Sequence, residues 1–291
     1  MPNDTAALIA AVRLASRVSN GSLYYEAGTI LSLASDEQKT RIVPALLEAR
    51  GGYLLHTVEV PLVAYKAAYR LPVRAIREAK VRLVDSAGKA VKPFERIASQ
   101  LVEDVQPTQG RARYWLPSNN SVVLVPTPNG AGDVLHLGYY RWPSQLVEAS
   151  ECPAVTAVGA STLTVAGTLP SWLVVGAKAD VVKGTPAFES LADDVTVTSV
   201  AGQIVTLSVP AGVEAGDNLC LAATTPFPQL PLAYHDVLVE ATVARVHFEQ
   251  GDRSAEASAL ARYERKLQAV MSTLSPRTEE PEVVVPGQDW F

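Results

Sequence analysis

The side chains most able to bind a metal or transfer a proton are four histidines, which are dispersed along the sequence. They are His56, His136, His235 and His247. His235 and His247 fall on one predicted helix, but they are twelve positions apart, about three turns, which is too far to share a metal ion. The sequence contains neither an HExxH motif nor a Cys/His framework of the kind that holds zinc. We therefore expect surface or half-buried histidines and no metal site.

The two cysteines, Cys152 and Cys220, give no sign of redox or nucleophilic chemistry. They do not form a CxxC motif, and no histidine cluster accompanies them. Two free thiols are favoured over a disulfide.

The carboxylates and glycines also lack a catalytic arrangement. Asp193 and Asp194 are neighbours, and neighbours in a strand point to opposite faces. Glu279 and Glu280 fall in a predicted tail, where they would be solvated. The segment PNGAGD at 128–133 lacks the lysine and the following helix of a phosphate-binding loop, so it is interpreted as a hairpin turn. We expect a protein that is not an enzyme and binds no cofactor.

Composition narrows the class of protein further. Hydrophobic residues make up 48% of the 291 residues, charged residues only 19%, and the net charge is −5. This balance argues against a sequence-reading nucleic-acid binder, which usually carries a basic stripe. No stretch of 18 uncharged apolar residues occurs, and Asp4 and Arg13 interrupt the first apolar segment, so neither a membrane span nor a signal peptide is expected.

Two segments suggest contact with other proteins. The stretch YRLPVRAIR places Arg70, Arg74 and Arg77 among apolar residues, and arginine is well suited to interface ion pairs. A local turn with solvated arginines explains this stretch equally well.

The second segment is the C-terminal tail, 276–291, which has prolines and no helical or strand period. Its candidate partner-binding residues are Val283, Val284, Val285, Trp290 and Phe291. Burying one of the aromatic side chains contributes on the order of 2 kcal/mol, and the valines could add a strand to an exposed sheet edge. Docking on a neighbouring subunit or partner is favoured over packing on the tail's own domain.

Helical periodicity occurs near both ends of the sequence. A first helix is predicted over 4–18, capped by Asp4 or Thr5 and stopped near Gly21. A second is predicted from Ser35, where Ser35 and Gln38 resemble a capping box, with Pro44 causing a kink or a late start. Late helices are predicted after Pro231, ending at Gly251, and over 253–274.

Between these helices the pattern is that of strands and turns. Extended segments are predicted at about 53–60, 64–71 and 80–85, followed by a meander over 112–141. Residues 151–223 then contain a near-repeat: VTAVGASTLTV from Val155 and VTSVAGQIVTL from Val197. Two copies are too few for a solenoid, so we expect the copies to close on each other as a small barrel or sandwich.

These patterns predict an α+β fold. It consists of a helical core built from the N- and C-terminal helices, an inserted and mainly antiparallel β region, and an extended C-terminal arm. The predicted parts are helices (1–52), a β meander region (53–150), an inserted β module (151–226), helices (227–275) and a docking tail (276–291).

Several stretches resemble tailed-bacteriophage head–tail connector proteins, also called adaptor or neck proteins. They are YRLPVRAIREAKVRLVDSAGK, SVVLVPTPNGAGDVLHLGYYRWP, SLASDEQKTRIVPALLEARGGY and PLAYHDVLVEATVARV. The resemblance covers most of 28–275 and includes no catalytic signature. It implies a homo-oligomeric ring, a dodecamer, stacked beneath the portal protein in the virion and assembled in the host cytoplasm.

The resemblance also implies further partners. These are tail or other neck proteins, and double-stranded DNA that passes through the ring without sequence-specific binding. A competing interpretation is a virion β domain that recognises a host surface or carbohydrate.

Overall fold

The computed structural model describes residues 4–18, 25–49, 54–103, 105, 108–184, 190–208 and 212–273. It has a mixed α+β fold with several antiparallel sheets and a few helices. The chain divides into two compact units, residues 51–142 and the two flanking segments, 1–50 with 143–291. We call residues 51–142 the sandwich unit.

Helix α1 (Thr5–Ser16) begins where the sequence predicts. The Asp4 carboxylate accepts a hydrogen bond from the backbone N–H of Ala7 at 2.7 Å, which satisfies one of the unpaired donors of the first turn. The helix ends with Arg17 in the left-handed region, at φ 58°. Gly21, the predicted stop, lies outside the described residues.

The second helical segment starts earlier than predicted. Helix α2 (Ala27–Glu37) runs into a π-helical turn (Gln38–Ile42) and then into α3 (Val43–Ala49). The predicted capping box is therefore wrong: Ser35 lies inside the helix, where its hydroxyl donates to the carbonyl of Leu31 at 2.8 Å. Pro44 lacks an N–H, and its ring would clash with a regular preceding turn; the wider π turn just before it relieves this clash.

The sandwich unit consists of two packed sheets and a short strand pair. Its strands are β1 (Leu55–Pro61), β2 (Ala68–Arg70), β3 (Ala75–Val84), β4 (Glu95–Arg96), β5 (Gln109–Gly110), β6 (Tyr114–Ser118), β7 (Ser121–Val125), β8 (Thr127–Pro128) and β9 (Val134–Arg141). One sheet has the order β1-β9-β3 and the other β2-β7-β6-β4, while β5 pairs with β8. Their facing side chains, among them Tyr69, Trp115, Leu124, Leu135 and Leu137, form one hydrophobic core.

The predicted meander over 112–141 is wrong at its third strand. Strands β6 and β7 form the expected hairpin, with Asn119 in the left-handed conformation of the turn. Strand β9 does not pair with β7. It crosses to the other sheet and lies between β1 and β3, where it pairs along its length on both sides. Local turn signals predicted the hairpin, but the partner of β9 depends on long-range packing.

The second unit contains strands β10 (Gln145–Leu146), β11 (Val155–Val158), β12 (Thr162–Val165), β13 (Lys178–Val182), β14 (Ser190–Thr196), β15 (Ser199–Ala201), β16 (Ile204–Thr206), β17 (Asn218–Leu221) and β18 (Thr224–Thr225). They form sheets of order β11-β12-β16-β15 and β14-β13-β17, and β10 pairs in parallel with β18. Residues 151–226 are called the β module.

The two copies of the near-repeat pair with each other around an approximate two-fold axis. In the β12–β16 pair, Leu163 faces Val205, and these residues occupy the same place in the two copies, 42 positions apart. In the β13–β17 pair, Asp180 faces Cys220, which are likewise equivalent when Gly176 is matched to Gly216. Both glycines have positive φ, 86° and 99°, so each copy needs the same left-handed turn.

Hydrogen bonds outside the strands repeat this symmetry. Val165 N–H donates to the Gln203 carbonyl, and Leu207 N–H donates to the Ser161 carbonyl. These two bonds join equivalent positions in opposite copies. The strands of the module are short. Each copy supplies strands that pair with those of the other copy in both sheets.

Helices α4 (His235–Gln250) and α5 (Arg253–Thr273) close the described chain. As predicted, α4 follows Pro231 through a 3-10 turn (Leu232–Tyr234) and ends at Gly251 with φ 76°. Helices α1 and α2 pack on α4, and α4 packs along α5. The Tyr25 hydroxyl donates to the carbonyl of Val246, which ties the segment before α2 to α4.

Candidate interaction surfaces

The three candidate arginines lie on different parts of the sandwich unit. Arg70 is exposed at the end of β2 in the four-stranded sheet, and Arg77 is exposed on β3 in the three-stranded sheet. Arg74 lies in the turn between them, where its carbonyl accepts the N–H of Trp142 at 2.9 Å. The structure therefore does not place the three on one sheet face.

The same turn exposes an apolar side chain. Val73, next to Arg74, is 88% exposed, and Tyr65 in the loop between β1 and β2 is 70% exposed. Isolated exposed apolar residues are common, but a valine this open beside cations is compatible with a contact surface.

The outer face of the β1-β9-β3 sheet carries a row of positively charged side chains. Arg77, Lys80 and Arg82 are exposed on β3, and their neighbours on β9 are Tyr140, Gly138 and His136. The Arg77 guanidinium lies over the Tyr140 ring, 5.2 Å from its centroid. We call Arg77, Lys80 and Arg82 the basic face.

Strand β1 contributes one carboxylate to the same sheet. Glu59 lies opposite His136 in the sheet, with its Oε1 3.7 Å from Nε2 of that histidine. Glu78 of β3 instead lies 3.8 Å from Arg96 of the other sheet. Positive charge therefore dominates the outer face.

Gly138 keeps the centre of this face flat. A Cβ at this position would lie 2.8 Å from the backbone oxygen of Lys80, closer than real Cβ contacts allow. The cause is the irregular register of β3 between Glu78 and Lys80, which brings the backbone of Lys80 toward β9. Glycine at position 138 thus allows the backbone of Lys80 to approach β9, with Lys80 exposed between Arg77 and Arg82.

Charge is unevenly divided between the two units. Residues 51–142 contain 12 Lys and Arg against 7 Asp and Glu, a net charge of +5. The remaining residues contain 13 against 23, a net charge of −10. Sequence reasoning missed this division because the whole-chain charge of −5 averages it away. The available signal was the local charge count: VRAIREAKVRLV (73–84) contains four cations and one carboxylate.

A shallow depression of about 520 Å³ lies beside β4 and β6, lined by Arg96, Ser99, Gln100 and Pro117 among others. The Arg96 guanidinium is already engaged, 5.6 Å from the centre of the Trp115 ring and close to Glu78. Its lining includes no histidine, cysteine or carboxylate. The depression therefore lacks the converging titratable groups of a catalytic site.

The histidines lie on separate elements and in separate environments. His136 is on the sandwich sheet, His235 Nε2 lies 3.2 Å from the Leu230 carbonyl, and His247 Nδ1 lies 3.3 Å from Gln250 Oε1. The His56 ring lies 6.2 Å from that of Tyr139. Within the described ranges, no group of three His, Cys, Asp or Glu residues could hold a metal ion.

The buried carboxylates of the β module bind backbone groups. Asp180 accepts hydrogen bonds from the N–H groups of Asp194 and Ala223, at 3.0 and 2.9 Å. Asp217 accepts from Gly184 and Glu214, at 3.1 and 2.8 Å. These carboxylates fix loops at the ends of strands.

An ion cluster joins the last two helices. The Glu240 carboxylate on α4 accepts hydrogen bonds from Arg262 Nε at 2.9 Å and Lys266 Nζ at 2.8 Å, both on α5. Burial raises the pKa of Glu240, but the hydrogen bonds from Lys266 and Arg262 outweigh it, so the pKa lies below its usual value. The cluster therefore helps to hold α5 on α4.

The predicted docking residues of the tail, Val283, Val284, Val285, Trp290 and Phe291, lie outside the described residues. None of the helices in the described part of the chain could span a lipid bilayer. A comparison with known protein families finds none that matches the sequence, and a search of curated proteins also finds no match.

Proposed function

We propose that this chain is a structural protein of a tailed-bacteriophage virion. It forms a ring at the head–tail junction below the portal, joins head to tail, and surrounds the path of the DNA. The proposal rests on the sequence resemblance to head–tail connectors. The structural observation that supports it best is the separation of charge between the basic sandwich unit and the acidic remainder.

A closed ring requires that each subunit present two different surfaces that fit each other. A chain with a net charge of +5 on one unit and −10 on the rest can meet this requirement electrostatically. In the proposed ring, the basic face of one copy contacts an acidic surface of the next. Twelve copies complete the ring, as the resemblance implies.

In the proposed assembly, helices α1, α2, α4 and α5 form one helical core, and residues 276–291 form an extended arm. The arm reaches the portal protein or a neighbouring copy through Val283–Val285 and the aromatic pair Trp290 and Phe291. Further neck or tail proteins bind the opposite side of the ring. The acidic remainder suits a channel that conducts DNA without gripping its phosphates.

The direct test removes the chain from the particle. Phage lacking it should accumulate filled heads and free tails that do not join, while purified complete tails still adsorb to the host. Electron microscopy of the lysate measures the joined fraction. Normally joined particles in the absence of this chain would refute the connector role.

The arm has a separate test. A chain lacking 276–291 should bind the portal protein more weakly than the full chain, with a nearly unchanged melting transition, since the sequence of these residues predicts no helix or strand that would join a core. Normal assembly of the truncated chain would show that Trp290 and Phe291 do not dock.

A second candidate function, host-surface or carbohydrate binding, is favoured by one observation. The repeat segments 155–165 and 197–207 contain no charged residue, and Thr162, Thr164 and Thr206 are on the face of their sheet opposite the core. Alanine at these three positions should abolish adsorption if this surface binds a receptor. Loss of head–tail joining with adsorption intact would favour the connector.

A further inference from the structure

The two cysteines, 68 positions apart in the sequence, lie together in the structure. Cys152 is 2% exposed and Cys220 is fully buried. They share a small apolar cluster with Val182, Val147 and Phe227. Cys152 lies three positions before β11, the first strand of the near-repeat, and Cys220 belongs to its last strand, β17.

Backbone pairing places the two cysteines opposite each other. Ala154 forms an antiparallel bridge with Asn218, and the N–H of Leu219 donates to the carbonyl of Pro153 at 3.0 Å. If this antiparallel register is extended by one residue, Cys152 lies opposite Cys220, in agreement with their shared cluster. Because the Pro153–Leu219 pair is at a hydrogen-bonded position, the cysteines are at a non-hydrogen-bonded one, where Cα atoms lie about 4.5 Å apart. Disulfides need Cα separations of about 4.4–6.8 Å.

The two thiols lie in one buried cluster, and this environment should slow their reactions. Burial raises the pKa of the Cys220 thiol well above its ordinary value, and a hydrogen bond with the Cys152 thiol raises it further. The nearby Asp180 carboxylate adds to the effect. Because the thiolate is the reacting form, exchange at this pair should be slow at neutral pH and faster as pH rises.

The other copy of the repeat joins the same two places by a hydrogen bond. Asp194 and Asp180 are the equivalents of Cys152 and Cys220, and the Asp180 carboxylate accepts the N–H of Asp194. Each copy thus has a side-chain link between the segment that leads into one copy and the facing strand of the other. In the first copy, the two side chains at these places are thiols.

We propose that Cys152 and Cys220 form a disulfide when the protein meets a low-molecular-weight disulfide. One thiolate attacks the S–S bond of the oxidant, which releases one thiol and leaves a mixed disulfide on the protein. The second cysteine then displaces the remaining oxidant half as a second thiol. One S–S bond breaks and one forms, and the two protons of the cysteines end on the released thiols. The product ties the beginning of the β module to its last strand.

The test uses the native full-length chain and glutathione. The protein is equilibrated in buffers of varied oxidised-to-reduced glutathione ratio until no further change occurs, and a matched series is run in urea. Remaining thiols are alkylated with N-ethylmaleimide after acid quenching, and the intact mass is measured. We expect a species lacking two hydrogens and carrying no alkyl group. Its formation constant should be at least about 100-fold larger in native than in unfolded protein, because folding pre-positions the thiols.

The linked protein should also melt on the order of 10 °C higher than the reduced protein, with reversal by dithiothreitol. Cys152→Ser is the matched control, and it should give no internally linked species. A native formation constant equal to or below that of the unfolded chain would overturn the proposal. Accumulation of glutathione on a single cysteine of the native wild type would overturn it as well.

Discussion

The sandwich unit and the β module are both built from short antiparallel strands, but they use charge in opposite ways. In the sandwich unit the cations Arg77, Lys80 and Arg82 are exposed on a sheet face. In the β module the two repeat segments contain no charge, and Asp180 and Asp217 are buried, where they bind backbone N–H groups. The buried carboxylates of the module therefore serve its internal structure, whereas the basic face of the sandwich unit is exposed to solvent.

Symmetry separates the two regions as well. The copies in the module cover each other, so that Leu163 and Val205 meet at the approximate two-fold axis. The described strands of the sandwich unit do not pair as two copies of a repeat. Its strand β9 lies between β1 and β3, in the sheet whose outer surface carries the basic face. Substitutions inside the module and on the sandwich sheet test this distinction, because their effects on the free energy of unfolding can be compared.

The largest effect should come from the centre of the module. Leu163→Ala removes a side chain with 0% exposure at the axis, and we expect a loss of about 2–5 kcal/mol in the free energy of unfolding. Val158→Ala, at a position 42% exposed, is the control and should cost far less. Urea denaturation measures both. Equal costs would show that the axis is not the centre of the core.

A smaller effect is expected on the sandwich face. Gly138→Ala places a Cβ 2.8 Å from the Lys80 backbone oxygen, so β3 must shift away from β9, at a cost of about 1–3 kcal/mol. Gly130→Ala is the matched control, since nothing lies within 4 Å of the added atom. Thermal unfolding of the two variants provides the comparison. Equal melting temperatures would contradict the close approach of these strands.

These strands also show how far the sequence could predict the fold. Turn chemistry and alternation predicted the β6–β7 hairpin, and the near-repeat indicated paired copies. The position of β9 between β1 and β3 could not be predicted, because nothing in its alternation specifies which strands it pairs with. The prediction for Ser35 was wrong for a related reason. A serine side chain can cap a helix or form a hydrogen bond inside one, and tertiary packing determines which of the two occurs.

The candidate surfaces were predicted only in part. The arginines of the YRLPVRAIR stretch drew attention to the segment, but Arg70 and Arg77 fall on different sheets. Lys80 and Arg82 were missed because the significance of their spacing depends on an irregular register in β3 that spacing alone does not reveal. The facing of Cys152 and Cys220 follows from strand pairing across 68 positions, beyond the reach of local patterns.

An intermediate effect, dependent on pH, is expected at Glu240. Its pKa is lowered in the folded protein, so the stabilisation is complete above the unfolded pKa of about 4.3 and is lost as pH falls through the folded pKa. Glu240→Gln should lower the free energy of unfolding by about 1 kcal/mol at pH 7. The effect is small because the side chains of Arg262 and Lys266 are 43% and 44% exposed, and solvent screens their charges. Denaturant titrations at several pH values should show the difference between wild type and variant vanishing at acid pH; a constant difference would contradict the assignment.

The smallest effect on stability should come from the basic face, although its effect on assembly should be large. Arg82→Glu should change the free energy of unfolding by no more than about 0.5 kcal/mol, because the side chain is exposed. It should nevertheless weaken association with the portal protein and with other copies, most clearly at low salt. Arg265→Glu on α5 is the matched control, being an exposed arginine on the acidic unit. Mass photometry across a salt series compares them, and identical association would exclude the basic face as the contact.

The proposed ring is tested most directly by mixing the purified wild-type chain with the portal protein encoded in the same genome. Electron microscopy and native mass determination of the mixture count the copies bound. We expect closed rings with a fixed number of copies, twelve in the proposed assembly, stacked on one side of the portal. A chain that stays monomeric beside the portal at every salt concentration would contradict it.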